Sequence, residues 1–106
     1  MSKLPEPPEM FKTFTARFPK LAQAWQLASE AGKEGPMEDK TALLVKLGIA
    51  AGGMREGAFH SAVRKAIAGG ASRGEVEQVV ALAASTLGFP TAVALFSWME
   101  DEWKKT

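Results

Sequence analysis

The chain has 106 residues, of which 46% are hydrophobic and 24% charged, a globular composition long enough for one compact domain with its own core. A net charge of +1, with basic residues scattered from Lys3 to Lys105 among acids, provides no clustered basic face for nucleic acid and no pull toward an anionic membrane. The complete absence of cysteine excludes disulfides, thiolate metal sites and redox-active thiol pairs.

Residues 1–8, rich in proline and without an apolar run, predict an irregular segment rather than a secretory leader, and a cytoplasmic protein is expected. Phe11, Phe14 and Phe18 recur at steps of three and four, which predicts a short helix from Glu9 to Phe18. Pro19 suits the first turn of a second helix, where a missing N–H is no loss; Leu21, Ala24, Trp25 and Ala28 share its face, and it ends near Ala31 and Gly32. After Gly35 and Pro36, a third helix opens with Glu38 or Asp39 as cap or first-turn acid, carries Leu43, Leu44, Leu47 and Ala50 or Ala51 inward, and closes at Gly52 and Gly53.

A fourth helix is expected from about Met54 to Ala68, with Phe59, Ala62, Val63, Ala66 and Ile67 on its apolar face and Gly69-Gly70 as its stop. Ser72-Arg73-Gly74-Glu75 matches a capping box, and Val76, Val79, Val80, Ala83, Ala84 and Leu87 continue a helical period from it. Gly88 ends that fifth helix and Pro90 starts the last. There Val93, Phe96, Met99 and Trp103 are expected inside and Glu100-Asp101-Glu102 in water. No stretch alternates with period two, so the expectation is an all-α fold of five to six short helices in a single domain over 1–106.

Gln78 to Met99 carries no charge, nearly the ~20 residues needed to span a bilayer, but Gly88-Phe89-Pro90 interrupts it, so two buried helices and no membrane span are expected. Helices apolar or small on nearly every face need cover all round, and with three tryptophans in so short a chain they point to a homo-oligomer. Taken alone, Trp25, Trp98 and Trp103 read as filling one core; together with the all-round apolar hairpin they favour the oligomer.

Several markers occur in order: Phe18-Pro19 then Ala24-Trp25, the run Gly35 to Thr41, Glu56-Gly57-Ala58-Phe59-His60-Ser61, Arg64-Lys65-Ala66, Gly70-Ala71-Ser72 with Glu75-Val76, Thr86 to Pro90, and Ser97-Trp98. Together they make the chain resemble the carboxymuconolactone decarboxylase and alkylhydroperoxidase D-like family. The resemblance implies an alkylhydroperoxidase D-like helical bundle, a trimeric or hexameric assembly, sites between helices near subunit contacts, and no cofactor. It also implies positions for chemistry. The family's peroxidase branch uses a Glu, a Cys-x-x-Cys pair and a His. Counting back from Gly70, the His position falls on Ala62, the two Cys positions on Ala58 and Arg55, and the Glu position on Leu43. All four are replaced, and without a thiolate a thiol peroxidase cannot operate.

His60 is the one imidazole in the chain and thus the candidate catalytic proton carrier near neutral pH. It lies two residues before Ala62, a turn of about 200° on a helix, and shares a stripe with Glu56 and Arg64. A solvated or interface histidine paired with Glu56 is the plainer expectation. Arg55, Arg64 and Lys46 are candidates for holding a carboxylate, although single cations on helices are usually solvated. Glu100-Asp101-Glu102 lacks metal-site spacing, so no metal is expected. Two functions follow: a noncatalytic homo-oligomer that binds a small molecule or partner through the apolar replacements Leu43, Ala58 and Ala62, or a cofactor-free lyase acting on a lactone or carboxylic acid through His60 with Arg55 or Arg64.

Overall fold

The computed structural model describes residues 9–105. All regular structure among them is helical: α1 (Glu9–Arg17), α2 (Pro19–Ala31), α3 (Asp39–Gly53), α4 (Glu56–Ala68), α5 (Arg73–Leu87) and α6 (Phe89–Lys105). The expected irregular segment 1–8 lies outside the described residues. Two units form. In residues 9–37, α1 packs on α2, with Phe11 edge-on to Trp25 at 5.6 Å between ring centroids. Pro19 occupies the first turn of α2, as its lost donor predicts.

The second unit, residues 38–105, is a four-helix arrangement in which α3 packs on α4 and α5, and α6 packs on α5 and α4. Its core draws on one stripe from each helix: Leu47 and Ala51 of α3, Phe59, Val63 and Ala66 of α4, Val76, Val80 and Ala83 of α5, and Leu95 and Met99 of α6. Steps of three and four residues place each set on one side of its helix, so the four helices bury a common apolar centre. Trp98 and Trp103 pack partly buried against this core, whereas Trp25 of the first unit is half-exposed.

The punctuation between helices follows backbone chemistry. Gly70 and Gly88 take positive φ, 95° and 102°, which a side chain would resist. The turn after α3 is different: Met54, not a glycine, adopts the left-handed conformation at φ 52°, so the fourth helix begins at Glu56 rather than near Met54. Before α5, the Ser72 Oγ accepts from the Glu75 N–H at 3.1 Å while Glu75 Oε1 accepts from the Ser72 N–H at 2.8 Å, the reciprocal capping box. That backbone hydrogen bond and the Lys40 ammonium, 3.1 Å away, hold the Glu75 carboxyl below its usual value.

Of the face expected inside on the last helix, Met99 is buried and Trp103 packs partly buried on the core, but Val93 and Phe96 point outward. Ala92, Leu95, Met99 and Glu102 are the buried residues of α6, while Val93 and Phe96 are 60% and 43% exposed. Of the acidic triplet, Asp101 alone is fully on the outside; Glu100 is half-buried against Arg73, and Glu102 is 1% exposed. The physical reason is that α6 packs between α4 and α5, and cations on both neighbours draw carboxylates inward where apolar ranking alone would keep them in water.

Removing the capping hydroxyl isolates one of these local devices. Ser72→Ala should lower stability by about 1 kcal/mol, read as a lower urea midpoint with an unchanged m-value.

Candidate functional site

Among the described residues, the one strongly polar place in the interior lies between α4 and α6. Glu102 projects from α6 into the contact with α4, and its Oε2 accepts a hydrogen bond from His60 Nδ1 at 2.5 Å. Lys105, one turn further along α6, donates to the same oxygen at 3.3 Å. Glu102 Oε1 lies 3.4 Å from Arg64 Nη1, close enough for charge attraction, yet it accepts no hydrogen bond. His60 and Arg64 are one turn apart on α4, so a single carboxylate ties together two successive turns of that helix.

The other ring nitrogen of His60 is also engaged: Nε2 lies 3.2 Å from Oε2 of Glu56, one turn back and 60% exposed. A carboxylate therefore stands at each ring nitrogen. The Trp98 ring lies 6.3 Å from the imidazole and 6.1 Å from the Phe59 ring, closing the apolar side of the cluster. Burial pushes the Glu102 carboxyl up, but the hydrogen bonds from His60 and Lys105 and the charges of Arg64 and Lys105 outweigh it and hold the carboxyl below the ordinary value.

Of the plainer reading, a solvated or interface histidine paired with Glu56, the structure has the pairing but not the solvation. The His60 side chain is 15% exposed, and Glu56 is the outer of two partners. Arg64 joins the same cluster at 29% exposure, so it is not a free surface cation. Glu102 is the residue that sequence reasoning missed. Its signal was present in the row Ala92, Leu95, Met99, Glu102, which steps by three and four residues, but the two acids before it masked that row.

The remaining candidates lie elsewhere. Arg55 is exposed at the N-cap of α4, Ala58 is exposed in its first turn, and Lys46 is exposed on α3. Ala62 and Leu43 are partly buried and pack against the apolar core. Leu43 reaches over Gly69, where any side chain would collide with its Cδ1. None of Leu43, Arg55, Ala58 and Ala62 lines the apolar cleft of this unit. That cleft, about 320 Å³, opens between α3 and α5 and is bordered by Leu44, Gly48 and Gly52 on one side and Val79, Leu82 and Thr86 on the other.

The sequence model of the carboxymuconolactone decarboxylase family matches residues 19–101. The chain belongs to that family. Searches of curated proteins and of solved structures gave no match. The all-α architecture is that of the carboxymuconolactone decarboxylase family. The match takes in α2 to α5 and most of α6, and its last residue falls one before Glu102. The polar cluster is thus built from three side chains inside the matched stretch, Glu56, His60 and Arg64, and two just past it, Glu102 and Lys105. No helix among the described residues is long and apolar enough to cross a membrane.

The Glu102 cluster has a defined pH signature. A carboxyl held below its unfolded value of about 4.5 contributes stability above that pH, and the contribution is lost as pH falls through the lower folded value. Wild type should therefore lose stability on acidification more steeply than Glu102→Gln, measured by urea denaturation from about pH 3 to pH 7. At neutral pH His60→Ala should cost about 2 kcal/mol, because it strips a hydrogen bond from a buried charge that Arg64 and Lys105 compensate only in part.

Proposed function

We propose that this chain is a noncatalytic member of the carboxymuconolactone decarboxylase family, a helical homo-oligomer of three or six subunits that works by binding rather than by turnover. The observation that carries this reading is the replacement of every chemical position: Leu43, Arg55, Ala58 and Ala62 stand where the thiol branch needs Glu, two Cys and His. Two of them support it further by their surroundings, since Leu43 and Ala62 pack against the apolar core and bring no proton donor with them. A chain without a thiol has no nucleophile for peroxide. The concave surface it does offer, between α3 and α5, is apolar and suits an apolar group rather than an acid.

One observation favours the lyase reading as a second possibility. A histidine whose Nδ1 hydrogen is held by a buried carboxylate, as His60 is by Glu102, has its second nitrogen oriented for proton transfer, and Arg64 stands one turn away to meet a substrate carboxylate. What weighs against it is the partner at that second nitrogen: Nε2 already faces Glu56, and a substrate acid must displace a carboxylate of the same charge.

Turnover and mass together decide between the two. Carboxymuconolactone-type acids should be turned over no faster by wild type than by buffer, and His60→Ala should change nothing in that assay, while light scattering gives three or six subunits. Turnover by wild type that His60→Ala abolishes would establish the lyase, and a monomeric wild type would remove the assembly.

A further inference from the structure

We propose that the cleft between α3 and α5 receives the Phe89, Val93 and Phe96 row of a second copy of this chain, in a head-to-tail contact that closes into a ring. This rests on the homo-oligomer reading above and names the surfaces that would make it.

The two surfaces are of opposite shape. On α6, Phe89, Val93 and Phe96 stand at steps of four and three on one side of the helix and are 74%, 60% and 43% exposed, a convex apolar row. Between α3 and α5 the surface is concave. Gly48 and Gly52 lie one turn apart on its α3 wall, and a Cβ built on either meets nothing within 4 Å, so the wall is open down to the backbone. A cavity of about 150 Å³ holds a benzene ring. The cleft's volume of about 320 Å³ therefore has room for an aromatic side chain and a neighbour. Leu82 at 60% and Ile49 at 69% exposure extend this apolar surface on α5 and α3.

The surfaces lie on different flanks of the subunit. Arg73, which meets Glu100 and the Trp103 ring of α6, and Leu82, which lines the cleft, are nine residues apart on α5. Nine steps of about 100° put them on opposite sides of that helix. The row on α6 and the cleft beside α3 thus face different sides of α5 and approach each other only at its end, where Leu87 of the cleft lining precedes Phe89 by two residues, and a contact between them pairs unlike surfaces. Such a contact repeats from subunit to subunit and forms a ring when the rotation closes.

Charge and area identify the partner as a second copy. From Gln78 to Met99 no residue is charged, so the row and the α5 wall of the cleft carry nothing that selects an oppositely charged partner. The centre of a homo-oligomeric contact is likewise depleted in charge. At roughly 200 Å² for a free large apolar residue, each surface offers on the order of 350 Å² of exposed side chain, an apolar centre in proportion to a stable interface of about 800 Å² per partner. Each lies in the range of about 300–600 Å² at which the largest patch of a small protein is often functional, and this chain carries two of them.

The test uses the full chain in two variants, Gly48→Trp to block the cleft and the double substitution Phe89→Glu with Val93→Glu to disable the row, each checked by circular dichroism for helicity. Each alone should fall below the wild-type mass in light scattering. Mixed in equal amounts they should run at about twice the mass of either, because one supplies an intact row and the other an intact cleft. A monomeric wild type overturns both the assembly and this contact. A wild-type oligomer whose mass neither variant lowers, or variants whose mixture gains no mass, overturns the contact while leaving the assembly. An apolar dye such as anilinonaphthalene sulfonate, bound by the wild-type oligomer and lost in Gly48→Trp with no change of mass, would assign the cleft to a small molecule instead.

Discussion

A single carboxylate in an apolar interior organises the α3–α6 unit. Glu102 can remain charged there because His60 and Lys105 donate to one of its oxygens and Arg64 stands near the other. Two of those partners, His60 and Arg64, come from α4, so the charge ties α6 to α4 at two consecutive turns. That tie fixes the rotation of α6 about its axis: with Glu102 inward, Met99, Leu95 and Ala92 follow it into the core, and Phe89, Val93 and Phe96 are carried to the outside. The polar cluster and the exposed apolar row are thus two results of one rotation.

The same cluster bears on chemistry. A histidine held by a carboxylate at each ring nitrogen is satisfied as a structural ion-pair partner, and its outer carboxylate, Glu56, occupies the position that an acidic substrate would need. Leu43 and Ala62 pack against the core, and the open concave surface between α3 and α5 is mainly apolar.

Much of the fold was legible because its boundaries are written in local chemistry. Pro19, the Ser72–Glu75 box and Gly88 each act within one turn, and the helices start or stop beside them. The stripes of α3, α4 and α5 were readable for a related reason, since polar residues flank the apolar ones and give the period a phase. The sixth helix offered no such phase. Its first half is apolar or small on nearly every side, so ranking by hydrophobicity chose Val93 and Phe96 over Ala92 and Leu95, and three consecutive acids looked like a solvated end. What sets its rotation is His60 and Arg64, some forty residues away, beyond any local window. The candidate site divided in the same manner. His60 was found from its uniqueness, whereas Glu102 was hidden because its role depends on a neighbour that only the fold supplies.

In the assembly proposed above, the exposed apolar surface would tie the protein's persistence to its abundance. A subunit of that assembly, with Phe89, Val93, Ile49 and Leu82 in water when alone, would gain by mass action from every increase in its own concentration, so folding free energy and protomer supply would be linked quantities. Dilution then acts on such a chain as a mild denaturant does. A cell that makes too little of it would present its degradation machinery with a greasy, unpaired helix rather than with an unfolded chain.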